Sequence, residues 1–331
     1  MLMKHPAIIR GTGFYVPEKV LTNADLEKMV ETSDEWITTR SGIKERHVAA
    51  PGEATSDLAL GACKRALADA DVSADEITHI ILYTLTPDYY CPPAACLLQE
   101  KLGVRGKAAM DVNAACSGFV YGLEHARSVI ALHPEAKILL CAAETLTSRT
   151  NWEDRRTCVL FGDGAGAAVI TGGQPGEPGE ITDVILYSDG SLGELLTVKG
   201  GGSAAPMRLG DAVGEDFFVQ MAGQEVFRHA VRNMIAACEE ILAKNGLTVA
   251  DVDYLIPHQA NLRIIDAVAK KLGIPSDKVC VTLNRFGNTS ASSVGIALAD
   301  SLHAGRIKSN DTVLFAVFGG GFTWGAALAK F

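Results

Sequence analysis

Three polar residues sit where apolar runs give way to loops, and their types suit nucleophilic acyl chemistry. Cys116 follows the strand-like run Ala108–Val112 through Asn113-Ala114-Ala115. It precedes Ser117-Gly118-Phe119-Val120-Tyr121-Gly122-Leu123, which continues as an almost wholly apolar helix to Leu132. A thiol at the N-terminus of a buried helix meets unpaired backbone N–H groups and the positive end of the helix dipole, and both favour the nucleophilic thiolate. His258, in Pro257-His258-Gln259-Ala260-Asn261, follows the run Val252–Ile256. Asn288, in Arg285-Phe286-Gly287-Asn288-Thr289-Ser290-Ala291, follows Val279–Leu283. A nucleophile, an imidazole and a carboxamide converging at strand ends form a site pattern, whereas each alone would ordinarily be structural.

The remaining glycine and cysteine motifs read more plainly. Gly319-Gly320-Gly321 follows the run Val313–Phe318, and backbone free of side chains at a strand end suits an oxyanion hole. Gly162-Asp163-Gly164-Ala165-Gly166 resembles half a dinucleotide fingerprint, but Gly172-Gly173 arrives before any helix could receive a pyrophosphate. The other seven cysteines (63, 91, 96, 141, 158, 238 and 280) include no Cys-x-x-Cys pair, and most lie in apolar runs as reduced packing residues. The order Cys, His, Asn is also that of papain-like proteases. Here the cysteine is mid-chain and the Cys-Gly-Ser-Cys-Trp surround is absent.

The elements that must hold these residues are continuous apolar runs separated by amphipathic segments. Ile77–Leu85, Ala108–Val112, Ile138–Ala143 and Ala167–Ile170 are followed by Val252–Ile256, Val279–Leu283, Val313–Phe318 and Ala326–Ala329. Segments such as Ser56–Ala70 and Ala222–Lys244 separate them, so the fold class is α/β with sheets covered on both faces. An internal repeat underlies this pattern. Leu67-Ala68-x3-Val72-Ser73-x3-Ile77-x2-Ile80-Ile81 matches Leu242-Ala243-x3-Leu247-Thr248-x3-Val252-x2-Leu255-Ile256, an offset of 175. Lys101-Leu102-Gly103-Val104 matches Lys271-Leu272-Gly273-Ile274, and Gly166-Ala167-Ala168-Val169 echoes Gly325-Ala326-Ala327-Leu328. Two homologous halves are expected, 1–175 and 176–331, hinged at Gly172–Gly179. Through the repeat, Cys116 and Asn288 are expected within a residue of equivalent positions, facing each other across one site.

Composition narrows the class. The 331 residues are 48% hydrophobic and 21% charged, with a net charge of −9, which excludes disorder and argues against nucleic acid as the main partner. The longest apolar stretch, Val313 to Phe322, falls far short of the ~20 residues a membrane span needs. Met1-Leu2-Met3-Lys4-His5-Pro6 lacks the apolar core of a signal peptide, so a cytoplasmic protein is expected.

The sequence resembles the ketoacyl synthase III family (β-ketoacyl–acyl-carrier-protein synthase III) of the thiolase superfamily, over nearly the whole chain. The resemblance rests on Gly11-Thr12-Gly13-x-Tyr15-x-Pro17, Thr32-Ser33-Asp34-Glu35-Trp36-Ile37 with Arg40-x-Gly42-Ile43, and Ala115-Cys116-Ser117-Gly118. It continues through Phe161–Gly166, His258-Gln259-Ala260-Asn261, Gly287-Asn288-Thr289-Ser290 and Phe318-Gly319-Gly320-Gly321-x-Thr323-Trp324-Gly325. It implies a duplicated five-layer αβαβα sandwich, a homodimer, and condensation of a short acyl-CoA with malonyl–acyl-carrier-protein to start fatty acid synthesis. A starter-condensing or acyl-transferring enzyme of polyketide metabolism is the alternative.

By that resemblance Cys116 carries the acyl group, His258 and Asn288 bind the malonyl thioester carbonyl, and Gly320 with the Cys116 backbone forms the oxyanion hole. The implied CoA contacts are Thr32, Trp36, Arg40, Arg155, Asn261 and Arg263, a set with an indole for adenine and guanidiniums for phosphate. The implied acyl pocket takes Cys91, Met221 and Phe227. Cys91 stands where short-primer members carry a bulky aromatic reaching across the dimer interface, which predicts a roomier tunnel unless Tyr89 or Tyr90 refills it. An acidic carrier protein would meet Arg228, Arg232, Arg263, Lys270 and Lys271. On the expected helix Asn261–Leu272, Ile265, Val268, Ala269 and Leu272 share the opposite face. No metal or other cofactor is implied, acyl-CoA being a substrate.

Overall fold

The apolar runs form strands buried on both faces, which is why runs rather than alternation mark them. In the computed structural model, which describes residues 5–331, the strands of the main sheet are β1 Ala7–Tyr15, β2 His79–Tyr83, β3 Ala108–Val112, β4 Lys137–Glu144, β5 Gly164–Gly172, β6 Glu180–Ser188, β7 Tyr254–Pro257, β8 Thr312–Gly319 and β9 Thr323–Lys330. The helices that position the site are α1 Asp34–Ser41, α2 Thr55–Asp69, α3 Ala94–Lys101, α4 Gly118–Leu132, α5 Gly223–Lys244, α6 Leu262–Leu272 and α7 Ser292–His303. Of the N-terminal hexapeptide read above, Met1–Lys4 lie outside the described residues. No helix among the described residues is long and apolar enough to cross a membrane.

Hydrogen bonding links the strands in the order β7-β8-β9-β6-β1-β5-β4-β2-β3. Strand β2 runs parallel to β3 and β4, and β7 runs parallel to β8, while the other neighbours are antiparallel. The two groups of strands join along β1 and β6 at a single pair, Ile8 with Glu180. Starts of β2 and β7, both ends of β4 and β8, and the ends of α2 and α5 recur at the same offset of 175.

Helix faces then sort into layers. Leu58, Ala62 and Ala66 of α2 pack with Leu98 of α3 against Ile80, Leu82 and Leu139. On the far side, Met234 and Ile241 of α5 and Val268 of α6 pack against Leu255, Leu314 and Ala316. Between the sheets, Phe119 and Leu123 of α4 and Val294 and Leu298 of α7 meet Ile81 and Leu140 on one side and Phe315 and Ala327 on the other. The result is a five-layer αβαβα sandwich. The central layer needs close approach: a Cβ on Gly166 of β5 would lie 2.5 Å from the carbonyl carbon of Gly295 in α7.

One expected strand is absent. Of Val279–Leu283, only Val279 pairs, in a lone parallel bridge with Leu255, and the chain then turns into a short helix, Leu283–Phe286. Pro257, at the end of β7, has no N–H to give a longer ladder. The buried Gln259 side chain takes over instead. Its Oε1 accepts from the backbone N–H of Thr282 at 2.8 Å, and its Nε2 donates to the carbonyls of Pro257 and Cys280.

Candidate active site

Cys116 lies in a single 3-10 turn, Ala115–Ser117, that feeds α4. Ala115 before it adopts φ +46°, a left-handed conformation costing on the order of 1 kcal/mol in a residue with a Cβ. Local hydrogen bonds hold that turn. The Asn113 carboxamide oxygen accepts the Ala115 N–H at 3.0 Å, Ser117 donates to the Thr323 carbonyl at 3.0 Å, and the Thr323 hydroxyl donates to the Ala114 carbonyl at 3.0 Å. The same device recurs at Asn288, whose Oδ1 accepts the Ser290 N–H at 2.9 Å, with Ser290 at φ +54°. Asn288 therefore corresponds to Asn113 and not to Cys116, which corrects the equivalence expected from the repeat. The five residues Leu283–Gly287, which form the short helix and its cap, restore the 175 offset after the 170 offset of Lys101 and Lys271.

Cys116, His258 and Asn288 all line one cavity of about 1440 Å³, larger than the ~300–1,000 Å³ of ordinary small-molecule sites. With Asn288 Oδ1 engaged by Ser290, the carboxamide N–H₂ is the group left to donate. His258 is buried, and its Nδ1 lies 2.7 Å from Ser293 Oγ, which also receives the Gln259 N–H at 3.4 Å. A Ser293 hydroxyl that donates to Nδ1 leaves the imidazole proton on Nε2. Two N–H donors are thereby prepared by their own neighbours.

Electrostatics revise the expectation of a resting thiolate. Burial pushes the Cys116 thiol up to about 11, opposed by its hydrogen bond with Ser290 and reinforced by the nearby Glu144. Burial also pushes His258 down to about 4. Both shifts favour a thiol beside a neutral imidazole over a thiolate in the resting site. If His258 takes part in the reaction, the step it serves should show no histidine limb between pH 6 and 8. The rate of that step should begin to change only as pH falls toward 4, where imidazolium forms. An inflection near pH 6.5 would show that the cationic ring is the active form.

Residues expected around a bound substrate divide into two groups. Trp36, Arg40, Asn261, Arg263, Met221, Phe227, Arg228 and Gly320 line the cavity. On α1, the Trp36 ring has the Arg40 guanidinium 5.5 Å and the Arg155 guanidinium 5.4 Å from its centroid. Arg155 and Thr32 nevertheless lie off the cavity lining, where Arg156 appears instead, and Arg155 donates to the Glu31 carbonyl at 2.8 Å. Thr32 Oγ1 is buried without a hydrogen-bond partner. Asn261 caps α6, accepting the Arg263 N–H at 2.9 Å, so the cap that starts the helix also sets Arg263 over the Phe227 ring.

Cys91 is exposed and does not line the cavity of its own chain, whereas Tyr89 and Tyr90 do. The short side chain follows an exposed loop outward, and the Tyr90 hydroxyl donates to the Gly201 carbonyl at 2.5 Å. Lys270 and Lys271 are exposed in the last turn of α6. They lie seven and eight residues beyond Arg263, about 11 Å along the axis, and so stand apart from the cavity. The reading of the sequence alone did not single out Glu144, Ser293 or the cavity-lining Arg149. A carboxylate closing the apolar run Ile138–Ala143 was a visible signal for the first of these.

A duplicated αβαβα sandwich that brings a helix-end cysteine, a histidine and an asparagine to one cavity defines a thiolase-like, acyl-transferring enzyme. Sequence comparison agrees: residues 110–190 match the family model 3-oxoacyl-[acyl-carrier-protein (ACP)] synthase III, and residues 242–331 match its C-terminal model. The chain is 56% identical over 331 residues to the β-ketoacyl-[acyl-carrier-protein] synthase III of Nitratidesulfovibrio vulgaris, covering 99% of this chain and 100% of the relative. A solved 3-oxoacyl-[acyl-carrier-protein] synthase III from Aquifex aeolicus VF5 superposes with a TM-score of 0.89 at 46% identity, covering 98% of this chain and 100% of that one. The priming β-ketosynthase of the R1128 polyketide pathway superposes equally well, 0.89, at 30% identity over 100% of this chain and 97% of that one. The chain belongs to the β-ketoacyl-acyl-carrier-protein synthase III family.

Proposed function

We propose that the chain condenses an acyl-CoA primer with malonyl–acyl-carrier-protein, releasing carbon dioxide, and so initiates fatty acid synthesis. The observation that carries this reading is the convergence of Cys116, His258 and Asn288 on one cavity beside Trp36 and Arg40. Cys116 sulfur attacks the acyl-CoA carbonyl, the backbone N–H groups of Cys116 and Gly320 hold the oxyanion, and CoA leaves as its thiol. Malonyl thioester then loses carbon dioxide. The enolate oxygen rests on His258 Nε2–H and Asn288 N–H, and its carbon attacks the acyl-enzyme carbonyl to release Cys116. Trp36 with its two flanking guanidiniums suits an adenine with phosphates, which supports CoA as the carrier of the first acyl group. The reaction calls for no metal or redox cofactor. Identity of 56% to a fatty-acid family member against 30% to a polyketide priming enzyme favours the first pathway.

The decisive experiment is incubation with acetyl-CoA, then with malonyl–acyl-carrier-protein. One acyl group per chain should appear on Cys116 by peptide mass spectrometry, followed by β-ketoacyl product. Acylation mainly at Cys91 or Cys158 would overturn the assignment, and acyl-enzyme that never condenses would favour a transferase.

We also read the active form as a cytoplasmic homodimer. Tyr89 and Tyr90 are 61% and 84% exposed in the single chain while lining its cavity, which suits coverage by a second copy. For the carrier, the exposed Arg263, Lys270, Lys271, Arg228 and Arg232 offer cations to an acidic partner, although Arg228 also pairs with Glu225. Exchanging Lys270 and Lys271 together for glutamate should raise the KM for malonyl–acyl-carrier-protein severalfold. Acylation by acetyl-CoA alone should be unaltered. Unchanged carrier kinetics would remove the lysine pair from the docking surface.

A further inference from the structure

Glu144 closes β4 and is fully buried, yet no lysine, arginine or histidine pairs with it among the described residues. Its partners are neutral donors. The Thr86 hydroxyl donates at 2.7 Å, the Thr84 hydroxyl at 3.2 Å, and the Leu85 N–H at 3.1 Å to one oxygen and 3.3 Å to the other. The remaining partner is the Ser290 hydroxyl, 3.4 Å from Glu144 Oε1 and also 3.4 Å from Cys116 Sγ. One hydroxyl thus stands between a buried carboxyl and the nucleophilic sulfur. At the repeat-equivalent position, β8 ends in Gly319, so the carboxylate is not needed to end such a strand.

With the Ser293 hydroxyl donating to His258 Nδ1 and the ring proton on Nε2, the imidazole has no free lone pair for the thiol proton, and the hydrogen-bonded path from Cys116 leads to Glu144 instead. Resting on the proposed role of Cys116, we propose that Glu144 is a positioning residue that accepts the Cys116 proton through Ser290. As Cys116 S–H gives its proton to Ser290 Oγ, the Ser290 O–H gives its own to a Glu144 oxygen. Cys116 becomes thiolate, Glu144 becomes a carboxylic acid, and the site keeps a single negative charge. The sulfur then forms its bond to the acyl carbon as the bond to CoA sulfur breaks. The held proton returns through the same hydroxyl to the departing CoA thiolate. Burial raises Glu144 to about 7, so the acceptor is half available near neutrality. Among the described residues, the titratable group that interacts with Glu144 is Cys116, and the other groups facing it are the hydroxyls of Thr84, Thr86 and Ser290 and the Leu85 amide.

Alkylation of Cys116 by iodoacetamide reads this relay without any acyl-CoA, so it survives failure of the proposed substrate. In the unmodified protein the rate should rise through a first limb near pH 7 and a second with the thiol itself. Glu144→Gln and Ser290→Ala should each abolish the first limb and leave the second, with alkylation at pH 8 slower by tenfold or more. The double variant should be no slower than either single one. Acylation by acetyl-CoA should lose the same limb, with KM unaltered. Profiles that superimpose, or that drop equally at every pH, would overturn the relay and leave Glu144 a structural residue. If Glu144→Gln does not fold, Ser290→Ala alone decides, since the hydroxyl is the link.

Discussion

Asn288→Ala should slow malonyl decarboxylation by about a hundredfold or more, the usual effect of removing one oxyanion-type donor, or roughly 3 kcal/mol of barrier. Acylation of Cys116 by acyl-CoA should fall much less, because the donors proposed for that step are the backbone N–H groups of Cys116 and Gly320. The complication is that Asn288 Oδ1 also holds the Ser290 N–H at 2.9 Å, and Ser290 touches Cys116 Sγ. Asn288→Asp separates the two duties. It keeps the acceptor for Ser290 and replaces the donating amide with an oxygen, so acylation should survive within a few-fold while decarboxylation is lost. Rapid-quench measurement of acyl-enzyme formation, beside carbon dioxide release from malonyl–acyl-carrier-protein, gives both numbers. Equal losses in the two half-reactions for Asn288→Asp would mean that the residue serves the turn and not the enolate.

The layered fold was legible because double-sided burial writes each strand as an apolar run, and because the 175-residue offset survives in ordinary core residues such as Leu67 and Leu242. That Cys116 and His258 would meet at one cavity was legible for a related reason, both being polar residues shortly after such runs. What failed was information held by contacts distant in sequence. Val279–Leu283 has the composition of a strand, but Pro257 removes a donor and Gln259 supplies side-chain bonds in its place. The resting state of Cys116 could not be read from its helix end, since burial depends on how β8 and β9 enclose its turn. Arg155 and Arg156 are neighbours in sequence, and only the fold shows that Arg156 lines the cavity while Arg155 lies against Trp36. Cys91 has the right place in a motif, but its loop carries it outward while Tyr89 and Tyr90 take the cavity wall.

The glycine run that closes β8 shows the same limit and yields the second large effect. Sequence placed the special position at Gly320, the expected oxyanion donor, but the tightest approach is one residue earlier. A Cβ on Gly319 would lie 2.7 Å from the Cys116 nitrogen and 3.1 Å from both Cys116 Cβ and the Ser117 nitrogen. At Gly320 the nearest atom is the Leu196 carbonyl oxygen at 3.3 Å. Gly319→Ala must therefore push the strained turn that presents the thiol, moving at once the sulfur and the Cys116 N–H. A displacement of this kind near 1 Å costs on the order of a hundredfold in rate. Acylation by acetyl-CoA should fall by ten- to a hundredfold in Gly319→Ala, with KM nearly constant because Trp36 and Arg40 are untouched. Gly320→Ala, which keeps its N–H, should stay within a few-fold of the unmodified protein. Single-turnover acylation of both variants, with thermal melting to show that each is folded, makes the comparison. A Gly320→Ala variant slower than Gly319→Ala would place the critical contact on the later glycine, and a Gly319→Ala variant of full rate would show that the Cys116 turn yields without consequence.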